Sequence, residues 1–218
     1  MTISAEDQAA DVIRKMILNG EFGQDERITE TSVSQMLEMS RTPVRSAMKV
    51  LEAEGVLLKR DGRGYTARQI SNENLTDAFA VRGVLEGLAA QKLAMIGLSK
   101  VVRERLDTSL STTANVIKRG IIDEEALEAY GVANLIFHQT IVKAADNQFV
   151  IDCASRLYIH PQAQLGAMLD HDHSMTRLTI AHAQHIVIKR AIESGDSERS
   201  FAVMREHAGF TNEYFDLF

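Results

Sequence analysis

The chain has 218 residues, a formal net charge of −6 and a single cysteine, Cys153. This length allows a sizeable core and about two domains, and one cysteine excludes a disulfide framework. The start MTISAEDQAADVI is acidic and no apolar run reaches transmembrane length, so we expect a cytoplasmic protein without a signal peptide or a membrane span.

The charge is unevenly distributed along the chain. Residues 27–68 hold eight Lys or Arg against five Asp or Glu, a net of +3. Residues 71–218 hold fourteen against nineteen, a net of −5. Binding to nucleic acid requires cations against the phosphates, so the basic segment is the candidate nucleic-acid surface despite the acidic total.

Three helices are predicted in the first 55 residues. The first is amphipathic, ends near Asn19-Gly20, and has an apolar face of Ala9, Val12, Ile13, Met16 and Ile17. A short helix follows over residues 31–38. The third begins at Thr42-Pro43, with Ser40 as a competing cap, and ends at Gly55. The short spacing between the last two helices is typical of a helix-turn-helix.

The third helix separates an apolar face from a cationic one. The apolar positions recur at helical spacing, and they are Val44, Ala47, Met48 and Leu51. Arg41, Arg45 and Lys49 lie outside that face. Two short strands then flank Asp61-Gly62, a dipeptide suited to a tight hairpin turn, which predicts a wing carrying Lys59, Arg60 and Arg63.

The segment ITETSVSQMLEMSRTPVRSAMKVLEAEGVLLKRDGRGY resembles the winged-helix DNA-binding domain of the GntR family of bacterial regulators. The resemblance implies that Thr31, Arg41, Thr42, Arg45 and Gly64 take the family's DNA-contacting positions. With the cations Lys49 and Arg63 they form the candidate DNA-binding set. Ser46 stands where the family more often has glutamate. The alternative from the pattern alone is an ordinary helical hairpin with solvated arginines.

The rest of the chain predicts only helices. They cover approximately residues 72–96, 99–119, 123–145, 148–159, 161–169, 175–194 and 197–217, with Pro161 breaking one segment. The expected fold is therefore mainly α: a winged helix-turn-helix domain over residues 1–70, followed by an all-α bundle of six or seven helices over residues 71–218.

Three histidines in the helical part are spaced so that they can converge. Asn134 and His138 are four residues apart, so they share one helix face. His185 and His207 lie roughly 15 and 18 Å from the turn at Gly195, at 1.5 Å per residue, and are neighbours in an antiparallel helix pair. Together these residues could hold a divalent ion. The alternative is that they are ordinary core or surface histidines.

FAVRGVLEGLAAQKLA, NLIFHQTIV and QHIVIKRAIESGDSERSFAVMREH resemble the FCD ligand-binding domain of the FadR-type branch of that family. The metal-binding members use an aspartate and three histidines, which match Asn134, His138, His185 and His207. Asparagine in place of aspartate removes a negative charge and lowers the expected affinity for an ion such as Zn²⁺ or Ni²⁺. Arg82 matches a family arginine that can bind a carboxylate effector, or it pairs with Glu86.

These resemblances imply a transcription regulator, most simply a repressor, that binds a palindromic operator in double-stranded DNA as a homodimer. A small carboxylate effector would bind at Arg82, Asn134, His138, His185 and His207. His171, His173 and His182 match no ligand position and are expected in loops or at the surface. The alternatives are a metal-dependent hydrolase that uses the three histidines, and a regulator whose bundle is purely structural.

Overall fold

A computed structural model describes residues 4–18, 20–23, 25–62, 64–68, 72–157 and 174–213. The contacts divide the chain into two compact units, Met1–Ser71 and Asn72–Phe218. The fold is mainly α with one small antiparallel sheet, which confirms the predicted fold class. Within the described part of the chain, none of the helices combines the length and hydrophobicity that a membrane crossing requires.

The N-terminal unit is a winged helix-turn-helix. Its elements are α1 (Ala5–Leu18), α2 (Glu30–Met36), α3 (Arg41–Ala53), β1 (Leu57–Lys59) and β2 (Tyr65–Ala67). Apolar residues from every element are buried together, and they include Ala9, Ile13, Val33, Val44, Met48, Leu51 and Leu57. Arg14 of α1 donates to both carboxylate oxygens of Glu54 at 3.0 and 2.8 Å, which fastens α1 to the end of α3.

The start of α3 differs from the preferred prediction. Ser40, the competing cap, occupies the N-cap position, although its side chain makes no capping hydrogen bond. The preference for Thr42 was wrong. Proline is tolerated as the third helical residue because its N–H would have no helical acceptor in the first turn anyway. Glu38 has a φ of +51° in the turn before α3, so its backbone adopts the left-handed conformation to make the short connection.

The wing has a longer turn than the sequence suggested. Leu57 pairs with Ala67 and Lys59 with Tyr65, so residues 60–64 form the connection. Gly62 has a positive φ as predicted (+107°). The second positive φ among the described turn residues belongs to Gly64 (+125°) and not to Asp61. Tyr65 also exchanges two backbone hydrogen bonds with Ile28, both of 2.8 Å. That bridge brings the backbone of Ile28 against Gly64.

Gly64→Ala should destabilise the wing more than Gly62→Ala. A Cβ on Gly64 would lie 2.9 Å from the Ile28 carbonyl oxygen, whereas one on Gly62 meets nothing within 4 Å. Both changes place a side chain at a strained positive φ, which costs about 1–3 kcal/mol. Urea unfolding of the two variants therefore isolates the steric contribution. Equal losses of unfolding free energy would show that the approach to Ile28 is unimportant.

The C-terminal unit contains six helices in its described residues. They are α4 (Asn72–Ile96), α5 (Lys100–Arg119), α6 (Glu124–Ala144), α7 (Gln148–Ser155), α8 (Ser174–Glu193) and α9 (Ser197–Glu213). Side chains cap three of them, because Ser99, Asp123 and Asn147 each accept a backbone N–H of the first turn. The predicted segment at 161–169, with Pro161, lies outside the described residues.

The C-terminal core is formed by buried residues from all six of these helices. Its buried residues include Ala90, Leu93, Leu106, Phe137, Ile141, Ile188, Ile192 and Met204. Gly83 and Gly87 let α9 approach α4 closely, since a Cβ at Gly87 would lie 2.9 Å from the ring of Phe201. A Cβ at Gly83 would lie 3.1 Å from the carbonyl oxygen of Arg205. This close approach fixes the position of α9, the helix that carries His207.

Candidate metal centre and nucleic-acid interface

A cleft on the N-terminal unit brings together several of the predicted DNA contacts. It has a volume of about 590 Å³, and its lining includes Thr31, Arg41, Lys49 and Gly64. Thr42 and Arg45 are exposed on α3, while Arg63 lies outside the described residues. Arg27 and Lys59 also line the cleft and add two further cations. The cleft therefore carries the cationic side chains that binding to a phosphate backbone requires.

Glu30 holds two of these arginines. Its Oε2 accepts from Arg45 Nε at 2.9 Å and lies 3.6 Å from Arg41 Nη2. The arginine side chains are 52% and 61% exposed, so the pairs contribute little stability, but they bias where the guanidinium groups point. Glu30 is not among the site residues predicted from the sequence. The available signal was an acidic residue in the first turn of the helix before the recognition helix.

Three buried histidines converge in the C-terminal unit. His138 comes from α6, His185 from α8 and His207 from α9. Their Nε2 atoms are 3.2 Å apart for His138 and His185, 3.0 Å for His185 and His207, and 3.3 Å for His138 and His207. Metal–nitrogen bonds of 2.0–2.1 Å at octahedral or tetrahedral angles separate ligand nitrogens by about 2.8–3.4 Å. The triangle therefore has the dimensions of a three-histidine metal site.

The rings are held in place by their neighbours. His138, His185 and His207 are 1%, 1% and 8% exposed, so none of them is an ordinary surface histidine. Phe137 stacks on His185 with ring centroids 4.2 Å apart. His138 Nδ1 lies 2.7 Å from Glu86 Oε2, and His207 Nδ1 lies 2.8 Å from Gln184 Oε1. Such partners on the outer ring nitrogen are the usual support for a metal-binding histidine.

Arg82 is paired with Glu86, which was one of the two predicted alternatives; the other was binding to a carboxylate effector. Arg82 Nε donates to Glu86 Oε1 at 2.7 Å, and both residues are buried. Burial alone would raise the pKa of Glu86. The charge of Arg82, the positive charge that His138 carries when it is protonated, and the hydrogen bonds from both outweigh that effect and hold the pKa of Glu86 at about 2. Glu86 is therefore an ionised carboxylate in the core.

Burial favours the neutral form of the histidines. It lowers the pKa of His138 even though the Glu86 charge opposes the shift. Burial, together with the neighbouring histidines and the charge of Arg82, lowers the pKa values of His185 and His207 well below the ordinary 6.5. Neutral imidazole is the form that binds a metal. The electrostatics and the spacing therefore agree on the same chemistry.

The remaining candidates divide into three groups. Asn134 is half-buried on α6, one turn before His138. His182 is also half-buried on α8. It lies outside the group of potential metal ligands found among the described residues, which consists of His138, His185 and His207. His171 and His173 fall outside the described ranges. Sequence reasoning missed Gln184 and saw Glu86 only as a partner of Arg82, because neither role follows from spacing along one helix.

A winged helix-turn-helix with a cationic cleft, followed by a helical unit with a buried polar centre, defines a transcription regulator with separate DNA-binding and ligand-binding parts. The comparisons with known proteins specify the family. The model for bacterial regulatory proteins of the gntR family matches residues 5–66, and the FCD domain model matches residues 77–210. The chain belongs to the GntR family and carries an FCD domain.

Individual relatives support this membership. A probable D-xylose utilization operon transcriptional repressor of Paenarthrobacter nicotinovorans is 29% identical over 92% of this chain and 84% of its own. The HTH-type transcriptional regulator YdhC of Bacillus subtilis (strain 168) is 30% identical over 62% of this chain, and the match spans 58% of its length. E. coli McbR/YncC has the same fold, with a TM-score of 0.74 at 16% identity over 99% of this chain and 100% of its own.

Membership of this family excludes one of the functional alternatives. The family consists of transcriptional regulators and not of enzymes, so the hydrolase considered from the three histidines is excluded. FCD domains often bind metals, and the three-histidine group is the feature of this chain that corresponds to that property.

Proposed function

We propose that this chain is a transcriptional repressor whose operator binding is controlled by a small carboxylate bound at the three-histidine centre through a divalent ion such as Zn²⁺ or Ni²⁺. The repressor assignment draws on the relatives, several of which are named as transcriptional repressors. A regulator of this kind acts in the bacterial cytoplasm, where its operator DNA lies. The single observation that carries the proposal is the convergence of three Nε2 atoms within 3.3 Å of one another.

The donor set of this chain fits an ion. Without a cation, the three converging Nε2 atoms can share only the hydrogen bonds of whichever Nε2 carries a proton, whereas a divalent ion at the centre would accept all three lone pairs. A bound divalent ion would supply a Lewis acid with coordination positions left for a ligand. Asn134 adds a neutral amide on the His138 face and could contribute an oxygen. With no ionised side chain among the three histidines and the amide, the ion's charge is left for an anion to balance.

The balance of charge at the centre favours an anionic effector. The Arg82 guanidinium contributes to lowering the pKa values of His138, His185 and His207, so its charge reaches the centre. Arg82 and Glu86 balance each other, and the positive charge of an ion in the centre would then remain for the ligand. A small carboxylate meets that requirement. A thermal-shift screen of small carboxylates and sugar acids would identify the effector.

The proposal includes a homodimer. One recognition helix and one wing bury too little surface for specific affinity, so a palindromic operator read by two copies is expected. An exposed apolar stripe on α4 is suited to an interface between copies, because Val81, Val84 and Leu88 recur on one helix face at 53%, 42% and 43% exposure. A ligand that prefers one arrangement of the dimer would shift operator affinity by that difference.

Elemental analysis of protein purified without chelator tests the metal part of the proposal. We expect close to one Zn, Ni or similar ion per chain, or stoichiometric uptake when Zn²⁺ or Ni²⁺ is added to chelator-treated protein. A chain that carries no metal and takes up none would refute this part. Operator binding is a separate measurement, so its outcome does not depend on the metal analysis.

A further inference from the structure

We infer that Glu86 and Gln184 are positioning residues that fix the protonated nitrogen of His138 and His207, so that two bare Nε2 atoms face the centre. The inference rests on the proposed function for its consequence, metal binding, but not for its own test. It follows from two short contacts, Glu86 Oε2 to His138 Nδ1 at 2.7 Å and Gln184 Oε1 to His207 Nδ1 at 2.8 Å.

The position of the proton on His138 follows from what each partner can donate or accept. Glu86 is ion-paired through Oε1 with Arg82 Nε at 2.7 Å, and a carboxylate paired in this way only accepts hydrogen bonds, so the His138 nitrogen 2.7 Å from its Oε2 carries the proton. In the neutral ring the other nitrogen is then a bare acceptor. That nitrogen is Nε2, which lies 3.2 Å from His185 Nε2 and 3.3 Å from His207 Nε2. Glu86 therefore directs the lone pair of His138 into the triangle.

Gln184 acts in the same way on His207, with less force. Its amide oxygen lies 2.8 Å from His207 Nδ1 and can only accept, so that nitrogen carries the proton and Nε2 is left bare. A glutamine can turn its NH₂ group toward the ring instead, but a carboxylate has no donor to offer. Glu86 is fully buried and also bonded to Arg82, so it cannot turn away. We therefore expect Glu86 to be the stronger determinant of the two.

Arg82 makes Glu86→Gln an informative substitution. Arginine only donates, so the amide oxygen of the new glutamine must face Arg82 Nε. Its NH₂ group then faces His138 Nδ1, which has to accept. The proton of His138 consequently moves to Nε2, the nitrogen that points into the triangle. Size and shape are preserved, and the protonation of one nitrogen is reversed.

The first measurement uses nitrogen-15 NMR of the histidine rings in the full-length, chelator-treated protein. In the wild type we expect His138 and His207 as the Nδ1–H form. Glu86→Gln should convert His138 to the Nε2–H form and leave His207 unchanged. Glu128→Gln, an exposed change of the same kind on α6, should convert neither. A wild-type His138 protonated at Nε2, or an unchanged His138 in Glu86→Gln, would overturn the inference.

The second measurement is the affinity for Zn²⁺ by competition with a chelating dye, with the visible spectrum of the Co²⁺ form as a check on geometry. Loss of a supporting partner costs about 10- to 100-fold in metal affinity. We expect Glu86→Gln near the upper end, Gln184→Leu near the lower end, and Gln184→Glu, which keeps an acceptor, close to the wild type. An unchanged affinity and Co²⁺ spectrum in folded Glu86→Gln would overturn the inference.

The two failures can be told apart. If the wild type binds no metal, the metal part of the proposed function fails, while the ring protonation measured without metal still tests Glu86 and Gln184. If the wild type binds metal and Glu86→Gln leaves both ring protonation and affinity unchanged, the proposed function stands and the inference fails.

Discussion

Arg45→Ala should lower the affinity for the specific operator by about 10- to 100-fold while changing non-specific DNA binding much less, because an arginine that reads guanine contributes about 1–3 kcal/mol of discrimination. Arg45 lies exposed on α3 with its Nε held by Glu30 at 2.9 Å. Removing it also leaves the Glu30 carboxylate without that partner on the DNA-facing surface, which adds repulsion from the phosphates.

Fluorescence anisotropy on the operator and on a scrambled duplex at one salt concentration measures both affinities. Arg119→Ala is the matched control, since it removes the same charge from an exposed position of the C-terminal unit. It should change neither affinity appreciably. A loss of the same size on both duplexes for Arg45→Ala would mean that this side chain contacts phosphate and does not read bases.

Much of the N-terminal unit can be predicted from the sequence because local signals agree there. The apolar positions Val44, Ala47, Met48 and Leu51 are spaced for a helix, and all four are buried in the structure. The start of α3 is harder to predict, because Ser40 and Thr42 are both good caps and only the backbone path out of the turn decides between them. The five-residue turn of the wing depends on the bridge between Ile28 and Tyr65, which joins residues far apart in sequence.

The three histidines can be predicted, but their supporting contacts cannot. Helix geometry and the turn at Gly195 predict that His185 and His207 are neighbours, and the resemblance to the FCD domain groups His138 with them. The structure places the three Nε2 atoms within 3.3 Å of one another. Glu86 is 52 residues from His138 in sequence, and its contact depends on how α4 is rotated against α6. Gly83 and Gly87 set the close approach of α4 to α9, and a pattern of glycines alone does not reveal which helix they will contact.

His185→Ala should abolish metal binding and effector response while leaving operator affinity nearly unchanged. His185 is the central member of the cluster, with its Nε2 at 3.2 and 3.0 Å from those of His138 and His207. Without it two imidazoles remain, too few to hold an ion firmly at a site with an asparagine in place of a carboxylate. The residue belongs to the C-terminal unit, whereas the candidate DNA contacts are all in the N-terminal unit.

The readout is the free energy of unfolding in urea, measured with excess Zn²⁺ and again after chelation. An ion that binds only the folded state stabilises it by about 4 kcal/mol at a free concentration of 1,000 times its Kd. The wild type should lose stability of that order on chelation, and His185→Ala should lose none.

His182→Ala is the matched control, because His182 is half-buried on the same helix and lies outside the cluster. It should respond to chelation like the wild type. Asn134→Asp should increase the unfolding free energy that is lost on chelation, since it adds a charged oxygen on the His138 face. A His185→Ala protein that still responds to chelation as strongly as the wild type would place the ion elsewhere in the chain.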